Sequence, residues 1–233
     1  MDVDDTTRAA LADAFESFCP APDGLQIPDG YRDSGLAVVD AVFSIQARYE
    51  GVTRVVSSYA EWADLTEIAP LPVERDAPDH HDVSMLANRL SAVSGEAAAN
   101  DVFDNRSGTH RLKAELVIDA AQALVAAGVR RRQDVALTPN DETYETQKLA
   151  WTSVDGLGPV TFEYFRMLCG AESSKPDVMV IAWLHEVLGQ DFGWRDALDL
   201  MSALRDELTR RWGVDVSLRA VDHTVWRHQS GRA

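Results

Sequence analysis

Two stretches of the sequence bring chemistry-bearing residues together. In Val154-Asp-Gly-Leu-Gly-Pro-Val-Thr161, two glycines stand one residue apart and a proline and an apolar-periodic run follow. A tight turn there exposes successive backbone N–H groups, and Pro159 suits the first position of a helix whose N-terminal partial positive charge points the same way. Such a turn holds an anion, a phosphate above all, without a basic side chain. The same glycines also serve a plain helix-helix connection, and spacing alone leaves both uses open. The second stretch is Lys175-Pro-Asp177. Asp177 opens a helix, where a carboxylate caps the exposed amides. Equally, it is a carboxylate able to stabilise developing positive charge or activate water.

Other clusters carry less. Asp76-Ala-Pro-Asp79-His80-His81-Asp82 has metal-ligand chemistry, but adjacent histidines rarely converge on one ion, so a loop and helix start is the favoured reading. No metal site is expected. Arg130-Arg131-Arg132 is the one dense basic run; it reads as a solvated helix end, with phosphate contact the alternative. His110, His185, His223 and His228 are scattered and stand in no recognisable nucleophile frame. Cys19 and Cys169 are the only cysteines, which fits reduced, buried thiols in a reducing cytoplasm.

The elements that must position these residues are helical throughout. Apolar spacing of three and four predicts helices over 5–18, 34–49, 51–65, 109–127, 143–151, 159–169, 177–188, 194–212 and 218–229, with shorter polar helices within 81–105. Gly51 is expected to separate the second from the third, and Gly128, Gly189, Gly193 and Gly213 to punctuate later ends. Residues 19–33 and 66–80 are rich in proline and turn signals and read as loops. The expected fold class is all-α, with about ten helices and no repeat.

At 233 residues the chain has room for a substantial core without disulfides or structural metal. Its acidic N-terminus does not resemble a signal peptide, and no run of about 18 apolar residues occurs, so a soluble, cytoplasmic protein without a membrane partner is expected. A formal charge of −16 argues, taken alone, against nucleic acid, because phosphate affinity comes mainly from Lys and Arg displacing counterions. Lysine occurs only at 113, 148 and 175, so any DNA-binding face must concentrate few cations, among them Arg48, Arg54 and Lys175.

The Val154–Thr161 stretch, followed by an apolar helix and Lys175-Pro-Asp177-Val-Met-Val-Ile, resembles the helix-hairpin-helix (HhH-GPD) DNA glycosylase superfamily, where a Gly/Pro-rich hairpin precedes a functional aspartate. Phe43-Ser-Ile-Gln-Ala-Arg48 is similar to its Leu-Ser-x-Gln-Ala segment, and Leu112-Lys-Ala-Glu-Leu-Val-Ile118 to its Lys-Ala-x-x-Ile segment. The match spans about residues 33–190, and Val221-Asp-His-Thr-Val-Trp-Arg227 looks like the closing helix of some members. The resemblance implies one endonuclease III-like unit over 1–233 with the hairpin between two helical lobes. One lobe is 33–150 with Gln46; the other is 1–32 with 151–233, carrying hairpin 154–160 and Asp177.

Carried over position by position, the resemblance implies a DNA partner for a monomeric protein. Gly156, Leu157, Gly158 and Val160 would contact DNA together with Gln46 and Lys175, a monovalent cation could sit at the hairpin, and Asp177 would be the catalytic carboxylate. Gln46 would help fill the gap left by an extruded base, which has to leave the stack before its glycosidic bond can be reached. Trp151 and Tyr164 are candidates for stacking on that base, whereas Phe162 and Phe165, at helical spacing, read as core. Two departures narrow the chemistry. Val160 stands where strand-cutting branches carry a lysine, and valine forms no Schiff base. No cysteine follows Cys169, so the iron-sulfur cluster of the endonuclease III branch is not expected. Gly-Leu-Gly-Pro-Val-Thr is closer to the monofunctional 3-methyladenine-type hairpin. The expectation is a hydrolase that excises a damaged or modified base, needing no cofactor. The alternatives are a DNA-binding member that has lost catalysis and an acidic helical interaction protein.

Overall fold

The computed structural model describes residues 3–27, 30–65, 78–108 and 110–231. Among them the chain is all-helical: α1 Asp5–Glu16, α2 Ser34–Phe43, α3 Tyr49–Trp62, α4 Val83–Leu90, α5 Gly95–Ala97 continued by a π turn over Ala98–Val102, α6 Lys113–Ala126, α7 Tyr144–Thr152, α8 Pro159–Leu168, α9 Val178–Leu188, α10 Trp194–Trp212 and α11 Leu218–Gln229. One isolated bridge joins Gly108 to Leu112. The sequence-predicted bounds of α10 and α11 hold, because Gly193 and Gly213 flank the first and Ser217 caps the second through the Ala220 amide.

Two units divide the chain, Asp29–Ala171 and Met1–Pro28 with Glu172–Ala233, each with its own hydrophobic core. The division corrects the expected lobes. Residues 151–171, hairpin included, belong with the Gln46 segment and not with Asp177. The reason is packing: Trp151, Phe162 and Phe165 join one core with α2, and α8 lies against that helix. Truncating one such phenylalanine to alanine costs about 3–5 kcal/mol in a close-packed interior.

In the Asp29–Ala171 unit, α2 is central, with all ten of its residues buried. Its single carboxylate, Asp40, accepts hydrogen bonds from Tyr31 Oη at 2.7 Å and Ser44 Oγ at 2.8 Å, which offsets the cost of burying it. α2 ends at Phe43, six residues before the predicted end, and α3 begins at Tyr49, before Gly51. Gly51 therefore lies inside a helix and is not the separator. What stops α2 is non-local: the buried Lys113 ammonium donates to the carbonyls of Phe43 and Ile45.

The His80-His81 region is structural. Asp33 Oδ1 accepts the amides of His80 and His81, Tyr59 Oη lies 2.6 Å from His81 Nε2, and Asp79 accepts from the Ser34 and Arg132 amides. Asp76 and the predicted loop prolines at 70 and 72 lie outside the described residues. Arg132 is fully buried, its guanidinium donating to the carbonyls of Tyr31 and Arg32, so this member of the arginine run is closed to phosphate.

The second unit packs α1, α9, α10 and α11 around Phe15, Trp183, Leu200 and Leu204. Among the described residues no helix is long and apolar enough to cross a membrane.

Candidate functional site

The hairpin is built from α7, the Val154–Gly158 turn and α8. Gly156 has φ +103°, a conformation costly for any side chain, and a Cβ there would stand 3.2 Å from Leu116 Cδ1. The backbone itself therefore requires glycine. Gly158 is different: its φ is −122° and an added Cβ would meet nothing within 4 Å. The fold leaves open space there.

A three-part lock holds the turn. Trp151 Nε1 donates to Thr161 Oγ1 at 2.9 Å, the same hydroxyl donates to the Gly158 carbonyl at 2.7 Å, and the Gly158 amide reaches it at 3.3 Å. Leu157 points inward, and its amide donates to Val154 at 2.9 Å. Leu157 thus anchors the turn through its side chain and its amide. Among the described residues, no acceptor takes the amides of Gly156 or Val160. α8 has no acidic residue in its first turn, and its N-cap, Gly158, has no side chain to offer. The N-terminus of α8 keeps its partial positive charge.

Gly156 opens onto a cleft of about 220 Å³ that also receives Gln46, His110, Arg111, Lys113 and Asp155. Two segments that the sequence reading singled out separately, the Gln46 turn and the hairpin, line one cavity. Gln46 is exposed and has φ +49°, an uncommon conformation for a residue with a side chain. Lys113 sustains it by holding the Phe43 and Ile45 carbonyls from below, and burial pushes its ammonium below the usual lysine range. Arg111 pairs with Asp119 at 2.6 Å and Glu115 at 3.4 Å at the rim. His110 and Arg111 were given no role by sequence reasoning, which placed both inside the predicted 109–127 helix; α6 starts only at Lys113 and leaves them in the segment before it.

Of the two base-stacking candidates, one is enclosed in the core and the other is partly buried. Trp151 is fully buried and stacks on Phe165 at 5.1 Å, so it is core, and no face of it is open to a base. Tyr164 packs against the same core, its hydroxyl raised well above the usual tyrosine range by burial and by Asp40.

In the other unit, Asp177 caps α9. Its Oδ1 accepts from Met179 N at 2.9 Å and Val180 N at 3.3 Å, while Oδ2 accepts no hydrogen bond from a described residue. One carboxylate oxygen is structural and the other is chemically available. Lys175 lies just upstream, partly buried, and its amide donates at 2.8 Å to Asp222. Asp222 is buried on α11, also accepts from Ser174 Oγ, and is pushed up to about 7, first by burial, with Asp177 adding repulsion. The sequence reading passed over it. The signal was present: Leu218, Val221 and Val225 form the buried stripe of α11, and an aspartate at 222 falls on that stripe.

Among the described residues no group of three or more His, Cys, Asp or Glu side chains is arranged to hold a metal ion. No curated protein and no solved structure matches the chain. A family model does: residues 9–230 match the family described as a domain of unknown function, DUF8548, and the chain belongs to that family.

Proposed function

We propose that this protein binds DNA through the Gly156–Val160 hairpin and acts as a monofunctional DNA glycosylase-like hydrolase, with Asp177 as the carboxylate that promotes release of a damaged or modified base. The observation that carries the reading is the cleft where Gln46 meets the hairpin, beside a helix start whose Gly156 and Val160 amides have no acceptor among the described residues. A DNA phosphate supplies the missing acceptor and the charge that the helix start favours. The open space at Gly158 lets a sugar-phosphate backbone approach the main chain. Gln46, exposed and stiffened by Lys113, is the side chain offered to the gap that an extruded base leaves.

Chemistry falls to Asp177. Glycosidic cleavage builds positive charge on the sugar, and an ionised carboxylate opposes that charge or takes a proton from the attacking water. Asp177 has an oxygen to spare once Oδ1 has capped α9. Val160 supplies no amine, so strand cutting through a Schiff base lies outside the proposed activity.

The test is incubation with duplexes carrying an alkylated, a deaminated or an oxidised base, followed by heating in alkali. Strand breaks should appear only after alkali and should vanish in Asp177→Asn. If no duplex in the panel yields Asp177-dependent breaks, the catalytic part of the reading fails. One observation favours a second reading: the Asp177 cap accounts for an aspartate at this position without catalysis. A non-catalytic DNA-binding protein would show salt-dependent duplex binding that survives Asp177→Asn, with no base release.

A further inference from the structure

We propose that Asp222 is a positioning residue for Asp177, fixing the Ser174–Lys175–Pro176 segment from which the Asp177 carboxylate is presented; this rests on the glycosylase reading above. The argument is a chain of hydrogen bonds. Asp222 Oδ1 accepts from Ser174 Oγ and, at 2.8 Å, from the Lys175 amide. The carbonyl of the same Lys175 accepts the Asp177 amide at 2.6 Å. Lys175 is therefore held on both sides of its backbone, by α11 through Asp222 and by the residue it must place. Pro176 fixes φ between them.

Burial makes the clamp stiff. Ser174, in the segment that leads into α9, is fully buried, and Asp222, on α11, is 3 % exposed; α9 and α11 pack together around one hydrophobic core. A side chain so enclosed does not touch a ligand itself. It acts by keeping the backbone before Asp177 from drifting, and small displacements of a reacting group are expensive. The charge is dispensable to this role, because only an accepting oxygen is used. Burial pushes the carboxyl up to about 7, so about half of it carries its proton at neutral pH, which suits an acceptor that need not be an anion.

The experiment compares wild type, Asp222→Ala, Asp222→Asn and Ser174→Ala by base release from the modified duplexes, duplex affinity, thermal unfolding and hydrogen exchange of the Lys175 amide. Asp222→Ala should slow base release about a hundredfold while duplex affinity stays within about twofold, and Lys175 exchange should accelerate. Asp222→Asn keeps the accepting oxygen and should recover the rate to within about threefold and restore Lys175 protection. Ser174→Ala removes one of the two donors and guards against a misfolded Asp222→Ala; it should slow release several-fold. The proposal is overturned if Asp222→Ala folds and releases base at the wild-type rate with Lys175 still protected. It is also overturned if Asp222→Asn is as slow as Asp222→Ala, since the charge would then be what matters. A wild-type protein that releases no base sinks the glycosylase reading instead, and the Lys175 exchange in the two variants then decides whether Asp222 fixes the segment.

Discussion

Helices α8 and α9 begin in opposite electrostatic states. α8 starts at a glycine N-cap, with no acidic residue in its first turn and with the Gly156 and Val160 amides lacking an acceptor among the described residues. α9 starts at Asp177, whose carboxylate takes the Met179 and Val180 amides and neutralises the helix start from within. Both solutions answer the same physical demand, that the first amides of a helix need partners. One leaves these amides without a described acceptor; the other meets the demand with a carboxylate that still has an oxygen in hand. On the function proposed above, α8 would offer a site for an anion and α9 would display the carboxylate.

The contrast breaks most severely at the carboxylate buried behind α9. Asp222 binds its proton more tightly in the folded chain, up to about 7, than in the unfolded chain near 3.8. A raised carboxyl weakens the fold as pH rises through that interval, because the unfolded state ionises first. Asp222→Asn removes the penalty, so it should match wild type near pH 4 and gain on it up to about pH 7, by about 2–4 kcal/mol above that point. Thermal or urea unfolding across this pH range measures the gap; a constant difference at all pH values would contradict the burial argument.

Gly156→Ala comes next. With φ +103° and Leu116 in the way, it should lose about 1–3 kcal/mol and weaken duplex binding with it, read by urea unfolding and anisotropy. Asp177 separates its own two duties: Asp177→Ala should cost about 1 kcal/mol through the lost cap, whereas Asp177→Asn caps as well and should change stability by only a few tenths. Gly158→Ala should have the smallest effect on the fold, about 0.5 kcal/mol, since it weakens only the N-cap and meets no neighbour. Its duplex affinity should nevertheless fall about tenfold, because the methyl occupies the space a phosphate needs. Comparing Gly156→Ala with Gly158→Ala thus distinguishes a glycine required by the backbone from one kept for a ligand.

Local chemistry was legible in the sequence and long-range closure was not. The hairpin, the α9 cap and the bounds of α10 and α11 follow from glycine, proline and capping residues that act within a few positions. The early end of α2 depends on Lys113, seventy positions away from one carbonyl it binds, and no local pattern announces that. Trp151 looked equally suited to a core or to a stacked base until Phe165 and Thr161 were seen to enclose it. The assignment of 151–171 to the Gln46 unit likewise depends on which faces of α7 and α8 meet α2. Asp222 was readable as a carboxylate on an apolar stripe, but its hydrogen-bond partners come from a different element.

The claim at the centre of this account is that the bare start of α8 grips a DNA phosphate. Titrating ¹⁵N-labelled protein with a short duplex tests it most directly. The account predicts that the Gly156 and Val160 amide resonances shift downfield together and saturably, that the shifts fade as salt is raised, and that Gly158→Ala suppresses them. Duplex binding that leaves both resonances where they stand, or no binding at low salt, would contradict it.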